Sequence, residues 1–419
     1  MMKPSAFLLA VLCLFTVTID ADQTVDLNVV HKIKEEAFSN GHVMDNLRNL
    51  SDVHGPRLTG SPEFQDAAEW VVQQLKEWGI SDAHLEPWGE FGRSWSLRRF
   101  QAHLIQPRYM PLIAFPKAWT SGTSGSVHSS VVYAPFSQSW EESPRDSSKI
   151  LERVQKYISE QKGKLRGKIV LIDPIRKLKE PTEAPSRRLD DKDLSKLNDE
   201  PTPFQFPQWD WPMTKLPDDP EQRKDLYAAL PLEVKADMWE HEQEAYDQLN
   251  AFLRDEGVLA AFNMDSRGTG GILFAEEGGS WHTGAPIPPP LIVVEPEQYL
   301  RMARLLQNKI PVEVELQLDV DMKEGPVQGN NVVAEIPGGK KKDEIVMLGG
   351  HLDSWHSGTG ATDNGAGCAV TMEVMRVLKA LNLNLDRTVR LGLWSGEEQA
   401  LYGSRYYIRK NFGDPVTMK

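Results

Sequence analysis

Apolar positions along the chain recur first at helical and then at strand spacing. Residues 24 to 50 read as helical and amphipathic, with Val30, Ile33 and Ala37, then Val43 and Leu47, on one face. A turn-rich stretch, Gly55-Pro56-Arg57-Leu58-Thr59-Gly60-Ser61-Pro62, comes next. It leads into a helix predicted from about Glu63 to Trp78, with Ala67, Trp70, Val71 and Leu75 facing the core and Gly79 placed to stop it. From about 110 to 320 short apolar strands are set among loops: Val131 to Tyr133, Lys164 to Ile172, Val258 to Ala261 and Leu291 to Val294, beside a helical stretch from Pro296 to Leu306. Between roughly 174 and 255 a Pro-rich, highly charged segment carries Trp209, Trp211 and Trp239. It reads as a surface insertion, helical near 232 to 254, whose tryptophans either line a substrate cleft or, as the preferred reading, pack on the host domain. In the last hundred residues, strands at 331–336, 344–348 and 388–394 alternate with a helix at 364–381, and no internal repeat is evident. This order predicts an α/β fold: a mixed, mainly parallel sheet flanked by helices, with an inserted β-rich domain. The expected boundaries are 1–21 for a leader, 22–110 for the first part of the main domain, 111–320 for the insert and 321–419 for the first half of the core.

Composition narrows the class. With 419 residues, 40% hydrophobic and 26% charged, the chain is a soluble globular protein of two folded units. A net charge of -13 argues against a nucleic-acid partner, whose phosphates call for a basic surface. Lys3, the apolar run Ala6 to Val17 and the small-residue stretch Ile19-Asp20-Ala21 form a signal peptide, too short for a membrane span, with the mature chain starting near Asp22. The protein is therefore expected to be secreted or periplasmic. Of the two cysteines, Cys13 lies in that leader and Cys368 is left alone, so no internal disulfide forms. Cys368 reads as a small buried helix residue rather than a nucleophile.

Chemistry concentrates late in the chain. His351-Leu352-Asp353 is followed by Thr362-Asp363-Asn364-Gly365-Ala366-Gly367 and then by Trp394-Ser395-Gly396-Glu397-Glu398. His351 and the Glu397–Glu398 pair each follow a predicted strand, and ligands of open α/β sheets gather at the carboxyl ends of strands. Asp363 lies in a glycine-rich loop before a helix. One imidazole with carboxylates and no thiolate suits zinc. Asp353 is placed to accept the ring's second N–H. In the adjacent pair, one carboxylate can bind metal while its neighbour faces a bound water and takes its proton.

These motifs, with Ser354-Trp355, Gln399 and Gly403-Ser404, resemble the co-catalytic di-zinc aminopeptidases and glutamate carboxypeptidases, and within them the plasma glutamate carboxypeptidase branch. Gly55 to Ser61 matches that family's N-terminal region, and Leu165-Arg166-Gly167-Lys168-Ile169-Val170-Leu171-Ile172 resembles its inserted protease-associated domain. The resemblance implies two zinc ions per complete site, His351 on one, Asp363 bridging, Glu398 on the other, Glu397 as general base and Asp353 as the ring's orienting partner. It implies hydrolysis of terminal peptide bonds of short peptides or dipeptides through a metal-bridging hydroxide. His356 matches no ligand position and reads as a loop histidine.

The family pattern also needs an aspartate after the next strand and a histidine nearer the C-terminus. Only 21 residues follow Glu398, Asp414 lies in a turn, and no histidine follows His356. The expectation is an N-terminal portion of a longer exopeptidase, leaving an unpaired sheet edge and an exposed apolar face. The alternatives are a non-catalytic protease-associated binding module on an incomplete peptidase scaffold, and a rim of merely solvated carboxylates. The direction of exopeptidase action, side-chain preference and homodimerisation are left open.

Overall fold

The structure, a computed structural model, describes residues 25–136, 147–178, 184, 187–198, 232–265 and 272–413. The leader, Trp209, Trp211 and Asp414 fall outside this set. No helix among the described residues is long and apolar enough to cross a membrane.

Where one helix was expected over 24 to 50 there are two. Helix α1 (Leu27–Ser39) begins at Asp26, whose carboxylate accepts the N–H groups of Asn28 and Val29. Helix α2 (Val43–Arg48) runs on into a π-helical turn over Asn49–Val53. Gly41 lies at the break, where a Cβ would meet the Ala37 carbonyl oxygen at 2.3 Å. The predicted apolar stripe of α1 is not core, since none of its residues is buried. An ion pair between Glu36 and Arg376 at 2.7 Å ties it to the body instead. Helix α3 (Pro62–Glu77) follows the expectation closely. Ser61 caps it, Pro62 opens it, and Gly79 ends it in the left-handed region at φ 83°.

Strands β1 (His84–Gln106), β2 (Met110–Pro111), β3 (Ala114–Pro116) and β4 (Val127–Tyr133) come next. They are followed by α4 (Ser147–Gln161), β5 (Ile169–Leu171), α5 (Asp191–Asn198), α6 (Leu232–Glu256), β6 (Ala260–Met264), β7 (Leu291–Val294) and α7 (Pro296–Gln307). The chain continues through β8 (Glu313–Ile336), β9 (Lys341–His351), α8 (Ala366–Ala380), β10 (Arg387–Trp394) and α9 (Tyr402–Asn411). All ten strands join one mixed sheet in the order β2-β1-β8-β4-β5-β6-β7-β3, and β10 pairs with both β8 and β9.

The two longest strands were largely missed from the sequence. β1 and β8 are 23 and 24 residues long and pair antiparallel from His84 opposite Val333 to Gln106 opposite Glu313. In β8 the alternation of buried Val314, Leu316 and Leu318 with Glu315 and Gln317 is regular. In β1 it is not, because register shifts at Pro87/Gly89, Glu90/Gly92, Gly92/Ser94 and Leu97/Arg99 reset the face of the strand. The sheet therefore runs unbroken through residue 320.

Two sets of core residues hang on this ladder. Near its His84 end, α3 and α8 cover β8 and β10, burying Val71, Leu75, Val332, Met372, Met375 and Leu391. Near its Gln106 end, parallel β4-β5-β6-β7 lies between α7, through Tyr299 and Met302, and the α4–α6 pair, through Val154 and Leu249. Between them Trp88, Phe91, Trp95 and Trp119 form an aromatic junction, flanked by Trp281, Trp355 and Tyr402. The outer side of β9 has no strand partner among the described residues; Val346 on this strand is exposed, as are Val370 and Val374 on α8.

His356 stands at the same junction, not at the surface. Its Nε2 faces the Pro116 carbonyl at 2.8 Å, its ring meets Trp95 edge-on at 4.9 Å, and burial drives its pKa from the usual 6.5 down to about 4, with Lys117 adding to the effect. The folded protein thus holds the neutral ring while the unfolded chain protonates near 6.5. The stability linked to it is fully present above that pH and is lost as pH falls toward 4, by up to about 3 kcal/mol. A His356→Gln variant is therefore expected to lose less of its thermal stability than the parent between pH 7 and 4.5; equal losses by calorimetry would contradict this. A second expectation concerns β9 against β10. A Cβ on Gly349 would stand 2.0 Å from the Gly392 oxygen, so Gly349→Ala should cost roughly 1–3 kcal/mol in chemical denaturation.

Candidate functional site

Strands β9 and β10 run parallel with His351 opposite Trp394, so their carboxyl ends share one rim. The Leu352 N–H donates to the Trp394 carbonyl at 2.6 Å and extends the pairing by one rung. His351 thus leaves the sheet beside the turn that carries Glu397 and Glu398. That turn is tight: Gly396, Ala400 and Leu401 have φ of 68°, 98° and 61°. Two non-glycine residues in the left-handed region cost of order 1–3 kcal/mol each and are held by their surroundings. Asp363 enters from a third direction, in the π-helical turn Ala361–Gly365 that leads into α8. Asn364 accepts the Gly367 N–H at 3.1 Å, and a Cβ on Gly367 would lie 2.3 Å from that amide oxygen. The expected helix start at 364 therefore falls two residues later, behind this turn.

The ring of His351 is nearly buried and its two nitrogens face different groups. Nε2 lies 2.9 Å from Asp363 Oδ1 and 3.8 Å from Glu397 Oε2. Nδ1 lies 3.1 Å from the backbone carbonyl of Asp353 and 3.5 Å from its Oδ1, so the main chain is the nearer partner on that side. Candidate ligand atoms of His351, Glu397 and Glu398 all lie within 4.8 Å of one another. Asp363 adjoins them from the solvent side with its side chain largely exposed. Asp353 is fully buried, and its Oδ2 accepts from the Glu398 N–H at 3.3 Å while its Oδ1 has no hydrogen-bond partner.

Crowding of like charge sets the electrostatics. Burial, then the charges of Asp353 and Asp363, push the Glu398 carboxyl up to about 8. Burial likewise raises Glu397 above the usual carboxylate range, against the pull of His351. For His351 burial opposes the charged ring, but contact with Asp353 and the fields of Glu397 and Glu398 outweigh it and raise the imidazole to about 9. All three shifts express one condition, negative charge gathered where water is partly excluded. An imidazole nitrogen and carboxylate oxygens so arranged are a donor set for a borderline divalent cation such as zinc.

Two residues that hold this arrangement went without a role in the sequence. Arg57 is completely buried, and no carboxylate among the described residues is bonded to it. Its guanidinium donates to the carbonyls of Leu352 at 2.6 Å, Leu50 at 2.6 Å, Gly360 at 2.9 Å and Thr359 at 3.1 Å. Its backbone also exchanges hydrogen bonds with Ser354. Thr59 contacts Asp353 at 2.8 Å. The available signal was an arginine and a threonine within a turn otherwise made of small and apolar residues. Cys368 is buried on α8, its thiol pushed up to about 12 by burial, and it donates to the His351 carbonyl at 3.1 Å.

Comparison with known proteins adds four findings. Residues 331–418 match the model of peptidase family M28. Over 393 residues the chain is 25% identical to carboxypeptidase Q of Bos taurus, covering 93% of this chain, and it spans 64% of that relative's length. Carboxypeptidase Q of Mus musculus is 38% identical over 130 residues, 30% of this chain and 27% of the relative. Among solved structures, a peptidase M28 precursor from Shewanella amazonensis SB2B superposes with a TM-score of 0.55 at 20% identity, covering 91% of this chain and 70% of that one, which shows a shared fold. The family match falls on the strands and turns that gather His351, Asp363, Glu397 and Glu398, and the likeness to carboxypeptidase Q runs along nearly the whole chain, so that residues 331–418 are similar to peptidase family M28.

Proposed function

We propose that the chain carries a zinc-dependent exopeptidase site that hydrolyses terminal peptide bonds of short peptides or dipeptides. The observation that carries this reading is the convergence of His351 Nε2 with the carboxylates of Asp363, Glu397 and Glu398 at the rim of parallel β9 and β10. Relatives named carboxypeptidase Q support it. His351, Asp363 and Glu398 are the residues that would hold zinc, two ions in a complete site with Asp363 shared between them. Bound there, zinc supplies a Lewis acid for the scissile carbonyl and lowers the pKa of water in the site.

The protein's own groups divide the remaining work. Glu397 is the general base: its carboxyl, raised by burial, takes the proton of the attacking water and returns it to the leaving amine. Asp353 anchors the Nδ1 side of the ring through its carbonyl and carboxylate, so that Nε2 faces the other acidic groups. We further assign residues 111–320 to a protease-associated insert and the first 21 residues to an export signal, and with a net charge of -13 we expect no nucleic-acid partner.

Zinc content by elemental analysis, together with hydrolysis of a dipeptide panel, tests this reading. Glu397→Ala is expected to keep its zinc and lose at least about 100-fold in turnover. Undiminished turnover would remove Glu397 from the role of base. For Asp363→Ala, bound zinc should fall markedly; a full complement of metal in that variant would contradict its place among the ligands.

A further inference from the structure

Thr59 precedes His351 by nearly three hundred residues, yet its hydroxyl lies between the two strand ends that form the site. It is 1% exposed, in the loop before α3. Its Oγ1 accepts the Gly396 N–H at 3.0 Å and donates to Asp353 Oδ2 at 2.8 Å. The same Oδ2 accepts the Glu398 N–H at 3.3 Å, and the carboxylate's other oxygen is 3.5 Å from His351 Nδ1. A hydroxyl has one proton, and here it is directed to the carboxylate while a lone pair receives the backbone amide. The loop at 59, the end of β9 and the turn after β10 thus meet at one buried carboxylate.

We infer that Thr59 is a positioning residue for the metal centre, a reading that rests on the function proposed above. Through its hydroxyl it fixes the orientation of Asp353, and with it the separation of His351 from the Glu397–Glu398 turn. Gly396 immediately precedes Glu397, so the bond to its N–H acts on the main chain that aims both glutamates. Thr59 reaches no substrate and no reacting atom; its effect passes through Asp353 and Gly396. Arg57, two residues earlier, secures the Leu352–Gly360 segment on the other side of the same strand end. Thr59 joins that segment to the β10 turn through a side chain whose loss can be made nearly isosteric.

The test compares Thr59→Val, which keeps the shape and removes the hydroxyl, with Thr59→Ser, which keeps the hydroxyl. Zinc affinity is measured by competition with a chromophoric chelator, thermal unfolding follows the fold, and kcat and KM are measured on a dipeptide. Thr59→Val is expected to bind zinc about 10–100-fold more weakly and to lose kcat more than KM, with Thr59→Ser close to the parent in both. Parent zinc affinity in Thr59→Val, even with a lowered unfolding temperature, would overturn the inference and leave a packing role only. Equal weakening in Thr59→Ser would overturn it too, since the hydroxyl would then not matter. If Thr59→Val does not fold, Thr59→Ala set against Thr59→Ser carries the same two expectations. A parent protein that takes up no zinc would instead bring down the proposed function, and this inference with it.

Discussion

The antiparallel ladder between β1 and β8 is the constraint on which the rest of the molecule depends. Its two strands are long enough to serve one core at each end, α3 and α8 packing near His84 and the β4–β7 sheet near Gln106. A slip of one residue would turn Val314, Leu316 and Leu318 outward together with Val332 and Ala334, so both cores hold the register at once. The bulges in β1 let a single strand serve both surfaces by changing the face it presents along its length. The aromatic junction of Trp88, Phe91, Trp95 and Trp119 fills the space between the cores, where each ring pair adds about 0.5–1.5 kcal/mol beyond the burial of its area.

Upon that frame the site gathers charge that the fold alone does not neutralise. Asp353, Asp363, Glu397 and Glu398 surround one imidazole, and the raised pKa values of His351 and Glu398 register the strain of that gathering. The buried cation alongside, Arg57, is committed to four backbone carbonyls and serves the chain's path rather than pairing with the acids. Such a guanidinium is satisfied by geometry, since its planar fork matches carbonyls converging from different segments. Arg57 thus fixes where the loop runs, and the carboxylates are left facing His351.

The local patterns were legible because they depend on near neighbours. Ser61, Pro62 and Gly79 delimit α3 by capping, steric preference and positive φ, all properties of single positions. The rim placement of His351 and Glu397 followed from strand order alone, because parallel strands carry their ends to one side. The β1 strand was hidden by the opposite circumstance: glycines and bulges erase the two-residue period that a strand is recognised by. Arg57 and Thr59 were hidden for another reason. An arginine in a turn looks like a solvated charge until its partners, distant in sequence, are placed around it. His356 likewise read as a loop residue because nothing near it in sequence announces Pro116 and Trp95.

The distance along the chain between Arg57 and its partners has a temporal meaning. Two of its bonds close loops of 302 and 303 residues, to Thr359 and Gly360. Contacts of that span form late in folding, because the entropy of closing them must be met before they return any stability. The rim that aligns His351 with the acidic turn therefore cannot be completed while only local structure has formed. Under the function proposed above, a half-folded molecule would hold the imidazole and the acidic turn as separate parts, with no site assembled between them.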